Sequence, residues 1–385
     1  MSSAATTRTA SPVLPATRLV SLDVFRGATM AAMVIVNNPG DWGNVYWPLL
    51  HADWNGWTPT DLIFPFFLFI VGVSITLSKR STSVGSILKR GAIIFAVGLF
   101  LAGYPRFDIT HWRIPGVLQR IAVCYTIAAL AYQWLRFGGR FRSSSRATQA
   151  SALALIAAVL TLGYWAVMLL VPVPGGGAGN LTPDGNVAAY IDRSLLLGHI
   201  WKPTWDPEGL LSTVPAIATT LLGIIAGLWI GGGETPSRKA AGLLIGGAIG
   251  IAIGEVWNLA FPINKNLWTS SYVWFTAGGA ALLLGVCYWV IDVRGWRGWT
   301  KPFVILGVNA LALFAFSALL VKTLMRITIT LDDGRTASAL RWIYTTAFQP
   351  YAPPKVASLM FAIANLVVLF FVLLWMYKKQ IFLKA

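Results

Sequence analysis

Apolar runs long enough to carry a helix across a bilayer, about 20 residues each, recur ten times along the chain, near 20–38, 58–78, 87–104, 115–135, 149–171, 210–230, 240–261, 271–291, 302–323 and 356–377. Between them the chain turns polar, with basic residues in some connections and Gly, Pro, Asn and Trp in others. The pattern predicts an all-α fold, a polytopic integral membrane helical bundle of about ten transmembrane helices. Residues 1–17 are Ser/Thr/Ala-rich and lack the basic stretch, short apolar core and small-residue site of a cleavable signal peptide. They are expected to form a disordered cytoplasmic tail, with 18–385 a single transmembrane domain. Thr58, Pro59 and Asp61 read as an N-cap, a first helical residue and a capping-box partner for the second span. Pro65 inside that span predicts a kink.

Composition excludes a water-soluble domain: 56% of residues are hydrophobic and 11% charged, and the mean hydropathy is +0.66. The net charge of +16 is read as a topology signal and a source of anionic-lipid contact, with little support for nucleic-acid binding. With the N-terminus inside, one set of connections holds 18 basic residues: Arg8, Arg18, Lys79, Arg80, Lys89, Arg90, Arg136, Arg140, Arg142, Arg146, Arg238, Lys239, Arg294, Arg297, Lys301, Lys378, Lys379 and Lys384. The opposite set holds 10. The excess predicts both termini in the cytoplasm. Cys124 and Cys287 both fall within spans, which favours reduced packing residues over a disulfide or a metal site. No glycine-rich nucleotide loop follows a strand pattern, so the clusters at 175–177 and 231–233 are turns.

The outer connections 38–57, 172–209 and 324–355 are long and polar, and such loops on a membrane bundle more often build a substrate mouth than a spacer. The chain has three histidines, His51, His111 and His199. His51 lies among Asp53, Trp54, Asn55 and Trp57, next to a span. Asn37 and Asn38 end the first span before Pro39 and Gly40, the signature of a plain helix terminus. A carboxamide there also faces the short connection to His51, and a carboxamide with an imidazole suits acyl transfer. Inside the spans, Asp23 and Arg26 either neutralise each other or leave Arg26 to an anion. Asp61 is expected to serve mainly as a cap. Gln119 and Arg120 lie at a depth comparable with Glu255, so an Arg120–Glu255 ion pair is one expectation and ligand binding the other.

The segments RLVSLDVFRG (18–27), VNNPG (36–40), LLHADWNGWTPTDLIFPFFLFIVGVSI (49–75), RIPGVLQRIAVCY (113–125), DPEGLLSTVPAIATTLLG (206–223), FPINKNLWTSSYVWFTAG (261–278) and YKKQIF (377–382) resemble, in order, the heparan-α-glucosaminide N-acetyltransferase family, its bacterial members in particular. The resemblance implies a transmembrane acetyltransferase. Such an enzyme moves an acetyl group from cytoplasmic acetyl-CoA to the amine of a glucosamine-type sugar on the periplasmic side of a bacterial inner membrane. It places the family's catalytic histidine on His51 and the asparagine beside it on Asn37, and it makes this chain the minimal catalytic bundle. Under that reading Arg26 meets the CoA phosphates, while Arg120, Gln119 and Asn258 line the cavity. Asp53, Trp54, Asn55 and Asp61 belong to the sugar site, where Trp42, Trp47, Trp54 and Trp57 either stack on the sugar or form an interfacial belt. The expected partners are the amino-sugar acceptor and the bilayer, and a homodimer is compatible with the chain. A transporter for a sugar or other small polar solute is the alternative.

Overall fold

The computed structural model describes residues 19–78, 83–138, 145–331 and 334–383. The tail at 1–17, and with it Arg8, lies outside the described residues, as do Arg18, Lys79, Arg80, Arg140, Arg142 and Lys384 of the charge pattern.

Each apolar run becomes helix. In chain order these are α1 (Val20–Asn37), α2 (Ile63–Leu77, entered through a 3-10 turn at Pro59–Leu62), α3 (Val84–Gly103), α4 (Val117–Phe137), α5 (Arg146–Leu170), the short α6 (Val187–Leu195), α7 (Thr213–Ile230), α8 (Pro236–Asn258), α9 (Ser270–Tyr288), α10 (Lys301–Val308), α11 (Ala310–Arg326), α12 (Ala339–Ala347) and α13 (Pro354–Lys378). Strand structure among the described residues is one hairpin of β1 (Thr328–Thr330) and β2 (Thr336–Ser338), antiparallel with Ile329 opposite Ala337. Among the described residues eight helices are long and apolar enough to cross a membrane, or nine if the bent pair α10–α11 counts as one span. The protein is an all-α polytopic membrane protein.

The tenth run is α4, as long as a span but burdened with Gln119, Arg120, Gln133 and Arg136. It nevertheless joins the two ends of the bundle. At its start the Ile114 amide donates to the His199 carbonyl, in the connection that precedes α7. Beyond its end, the Arg146 guanidinium that opens α5 donates to the Gly231 carbonyl at the far end of α7. Gln119 and Arg120 are sheltered from lipid on a face buried from Leu118 to Leu135, while Gln133 is half-buried and Arg136 is exposed at the helix end.

Two expectations need correction. The run at 302–323 is not one straight span: α10 and α11 meet at Asn309 with a bend of 79°. The Asn309 side chain is taken by the C-terminal segment, donating to the Ile381 carbonyl at 3.0 Å and accepting from the Leu383 amide at 3.0 Å. Pro65 makes no mid-span kink, because it falls in the first turn of α2, where an amide would have no intrahelical partner.

α2 and α7 form the spine that carries the site. A Cβ added at Gly72 would stand 2.1 Å from the Thr220 carbonyl oxygen, and one at Gly223 would stand 2.1 Å from that of Phe69. Only glycine permits such backbone approach, and in a bilayer close van der Waals packing of this kind substitutes for a hydrophobic drive between helices. The face so formed buries Leu68, Leu221 and Ile224 against α4 and α9.

Candidate active site

At the end of the bundle where α2 begins, sequence-local chemistry builds a carboxylate with three donors. Thr58 has extended backbone and Pro59 opens the 3-10 turn, which makes Asp61 the third residue of a capping box. Asp61 Oδ2 accepts from the Thr58 amide at 3.0 Å and from the Ala52 amide at 3.0 Å. Its Oδ1 lies 2.6 Å from His51 Nδ1. The Asp61 side chain is 1% exposed and that of His51 49%. A carboxylate with both oxygens occupied by N–H donors fixes the tautomer: Nδ1 carries the hydrogen, and the Nε2 lone pair points away from Asp61.

The connection between α8 and α9 closes over this turn. The Gly56 amide donates to the Ile263 carbonyl at 2.8 Å, and Asn264 Nδ2 donates to Asn55 Oδ1 at 3.1 Å. Asn264 is fully buried, its Oδ1 accepting from the Leu267 amide at 2.9 Å and its amide donating to Thr269 Oγ1 at 3.0 Å. From below, the Tyr272 hydroxyl on α9 donates to the Asp61 carbonyl. This framework delivers Lys265 onto His51. Lys265 Nζ lies 3.0 Å from Nδ1 and 3.2 Å from Nε2 of the imidazole and 3.7 Å from Asp61 Oδ1. One group in the ring plane would collide with Cε1 at those two distances, so the ammonium rests over the ring face and leaves the Nε2 lone pair open. Burial pushes the Lys265 ammonium below the usual lysine range, with the Asp61 carboxylate opposing the shift.

The other expected site residues divide. Asn37 is exposed at the end of α1 and its side chain makes no hydrogen bond among the described residues, whereas Asn38 is buried and its side chain donates to Val34 O at 2.6 Å and Ser317 Oγ at 2.9 Å. The two adjacent carboxamides therefore differ: Asn38 locks the helix end and Asn37 is available. Asp53 is exposed. Trp54 is partly buried, its Nε1 donating to Leu181 O at 2.9 Å and its ring edge-on to Trp205, so it ties the His51 loop to the 172–209 connection. Asn55 is exposed, and its Oδ1 accepts from Asn264. Trp42, Trp47 and Trp57 are exposed at 62%, 67% and 42% and carry the open aromatic surface of this loop.

Arg26 sits in the half of α1 away from His51, where it donates to Ser74 Oγ at 2.7 Å and contacts Asp23 and the Gly307 carbonyl at 3.5 Å. Arg120 lies at the His51 end and is 2% exposed. It does not pair with Glu255, which is exposed on α8. Its Nη2 donates to Ser212 Oγ at 2.5 Å and to Gly209 O at 3.2 Å, and the guanidinium covers the Trp268 ring at 5.1 Å. The helix that bears Glu255 turns that residue outward, so a similar depth in the sequence did not mean a shared face. Arg120 Nε and Nη1 and Gln119 Nε2 are buried donors without a hydrogen-bond partner among the described residues. Asn258 Oδ1 accepts from the Ile263 amide at 2.8 Å and so shapes the start of the Lys265 loop.

Sequence reading missed two roles. Asp61 was assigned to capping and to the sugar site; it caps, and its second oxygen also orients His51. The ten-residue separation from His51 hid this, since only the fold of the 50–58 loop closes it. Lys265 carried no signal beyond its place in the FPINKNLWTSS segment. Chemically the cluster offers an imidazole with a fixed tautomer, an Nε2 directed away from Asp61 and a primary amine beside it, the parts for general-base or nucleophilic catalysis on an activated carbonyl.

Comparison with known proteins identifies the family. The family profile described as heparan-alpha-glucosaminide N-acetyltransferase, catalytic, matches residues 18–141, which include α1, the His51 loop, Asp61 and Arg120. The Homo sapiens protein named heparan-alpha-glucosaminide N-acetyltransferase is 34% identical over 355 residues, covering 77% of this chain and 52% of that protein. The Mus musculus protein of the same name is 34% identical over 354 residues, covering 78% of this chain and 53% of its own. The chain thus spans about half the length of these relatives.

Proposed function

Because this chain belongs to the heparan-α-glucosaminide N-acetyltransferase family, we propose that it is a transmembrane N-acetyltransferase that transfers acetyl from acetyl-CoA to the amine of a glucosamine-type sugar. The observation that carries the reading is His51 held through Nδ1 by Asp61 at 2.6 Å, which turns Nε2 away from the carboxylate. His51 Nε2 takes a proton from the sugar amine as its nitrogen attacks the thioester carbonyl; the oxyanion forms, the C–S bond breaks, and the thiolate leaves to be protonated. Asn37, exposed and without a competing bond, supplies the carboxamide for the oxyanion. Asp61 keeps the imidazole in the tautomer the base needs and stabilises the imidazolium as it forms.

Acetyl-CoA arrives at the opposite end of the bundle, where Arg26 meets its phosphates. Its pantetheine arm then runs between helices toward His51. That arm carries amide carbonyls, and the unpartnered donors of Arg120 and Gln119 are the groups to bind them, since a buried donor without an acceptor is costly. Asn258 lines the same passage. Asp53 and the exposed Trp42, Trp47 and Trp57 receive the sugar. The basic bias of the connections puts His51 on the periplasmic side and both termini in the cytoplasm of a bacterial inner membrane. The test is chemical: purified protein given labelled acetyl-CoA and glucosamine should yield N-acetylglucosamine, and absence of label on the sugar defeats the proposal. A transporter reading draws on the break at Asn309, since interrupted helices line transport sites. Glucosamine counterflow in vesicles without acyl-CoA would support it.

A further inference from the structure

Lys265 brings to His51 the functional group that the proposed acceptor brings, a primary amine. Its Nζ is 3.2 Å from Nε2, the atom that deprotonates the substrate amine under the proposed function. The side chain is 17% exposed, and the clamp of Ile263 and Asn264 on Gly56 and Asn55 holds its backbone against the His51 loop. Lys265 forms a salt bridge with Asp61 Oδ1 at 3.7 Å, but it lies closer to the imidazole than to the carboxylate, at 3.0 and 3.2 Å from the two ring nitrogens. Asp61 Oδ1 is in turn nearer to His51 at 2.6 Å, and its other oxygen accepts from backbone amides.

We infer that Lys265 is an internal acetyl acceptor: when acetyl-CoA is bound and no sugar amine is present, the enzyme acetylates Lys265 Nζ. The inference rests on the proposed function, because it uses the same donor and the same base. The ammonium first loses a proton through His51 Nε2 to solvent, a step that burial of the lysine makes easier. The amine nitrogen then bonds to the acetyl carbon, the C–S bond breaks, and the second nitrogen proton passes to the departing thiolate. The products are an amide and free CoA thiol, with no further reactant. The four-carbon stem of lysine lets Nζ swing from the ring face into the plane of Nε2. The acetylated side chain is neutral and bulkier and lies against the imidazole, so it blocks the sugar amine and stops turnover.

The test is to incubate purified full-length protein with acetyl-CoA and no sugar, then digest it and follow each lysine by mass spectrometry. Lys265 should gain one acetyl group at least about tenfold faster than the exposed Lys202 and Lys301, because the reacting groups are held together. Added glucosamine should suppress the labelling, and His51→Gln should reduce it to the rate of the exposed lysines. Lys265→Arg should lose the mark while the remaining lysines keep their slow background. If glucosamine is acetylated while Lys265 stays unmodified, or labels no faster than Lys202, the inference is overturned and the proposed function stands. If neither glucosamine nor Lys265 is acetylated, the proposed function falls and the inference with it.

Discussion

Among the described residues there are two histidine–aspartate pairs, and only one of them is built as a site. His51 and Asp61 are 2.6 Å apart, with the aspartate side chain 1% exposed. His111 and Asp108 are 3.0 Å apart, three residues from one another in sequence, with side chains 77% and 53% exposed. In the second pair Asp108 is held down to about 2 by the Thr110 hydroxyl first and His111 next, and the ring's other recorded contact, Thr110 Oγ1 at 2.9 Å, comes from its own neighbour in sequence. In the first, the carboxylate is fastened by Ala52 and Thr58, its turn is braced by Tyr272, and Lys265 covers the ring. A strongly shifted carboxyl is therefore no mark of chemistry by itself. What separates the pairs is how many distant segments each needs in order to exist.

That contrast yields four expectations, ordered by size. His51→Ala should lower acetyl transfer to glucosamine by about 10²–10⁴-fold, the range of a lost general base, while His111→Ala leaves it within about twofold; initial rates with labelled acetyl-CoA measure both. Asp61→Asn should cost about 10²-fold in kcat, because an amide no longer enforces the Nδ1–H tautomer. Asp108→Asn should cost nothing measurable, and equal effects at the two aspartates would erase the distinction. The third concerns the clamp on the connection that bears the exposed pair. Arg113 donates to Asp206 at 2.6 and 2.8 Å and to Glu208 at 2.5 Å. Arg113→Ala strands two carboxylates and should cost about 3–5 kcal/mol, read as a lowered midpoint of thermal unfolding in detergent.

The smallest expectation is a pH effect beside the site. Asp192 on α6 is pushed up to about 6 by burial while its Oδ1 accepts from the Leu210 amide at 2.9 Å. Its folded value lies above the ordinary 3.8. The folded loop thus binds the proton more tightly, and its stability falls as pH rises from about 4 to about 6 and is level above that. Hydrogen exchange at Leu210, corrected for intrinsic rate, should be faster at pH 7 than at pH 5 in the wild-type protein. In Asp192→Asn that difference should vanish.

The sequence by itself determined the class of the molecule and most of its elements. Every apolar run became a helix, because in hydrocarbon a backbone must satisfy its own hydrogen bonds within the segment. The Thr58–Pro59–Asp61 cap and the packing role of Cys124, buried in α4 without a disulfide, were legible for the same local reason: spacing of a few residues fixes them. The His51 loop could be singled out from its residue types and its place before a span. Only the tertiary structure decided what those residues do to one another. Lys265 stands 214 positions from His51, Asn264 is 209 from Asn55, and Tyr272 is 211 from Asp61. No periodicity encodes such a contact, which exists because two connections close over one end of the bundle. Arg120 makes the same point, since depth along a helix is written in the chain but the direction a side chain faces depends on how α4, α7 and α8 are rotated against their neighbours. The bend at Asn309 belongs there too. A single asparagine in an apolar run is compatible with a straight helix, and it becomes a break where Ile381 and Leu383 are on hand to bond its side chain.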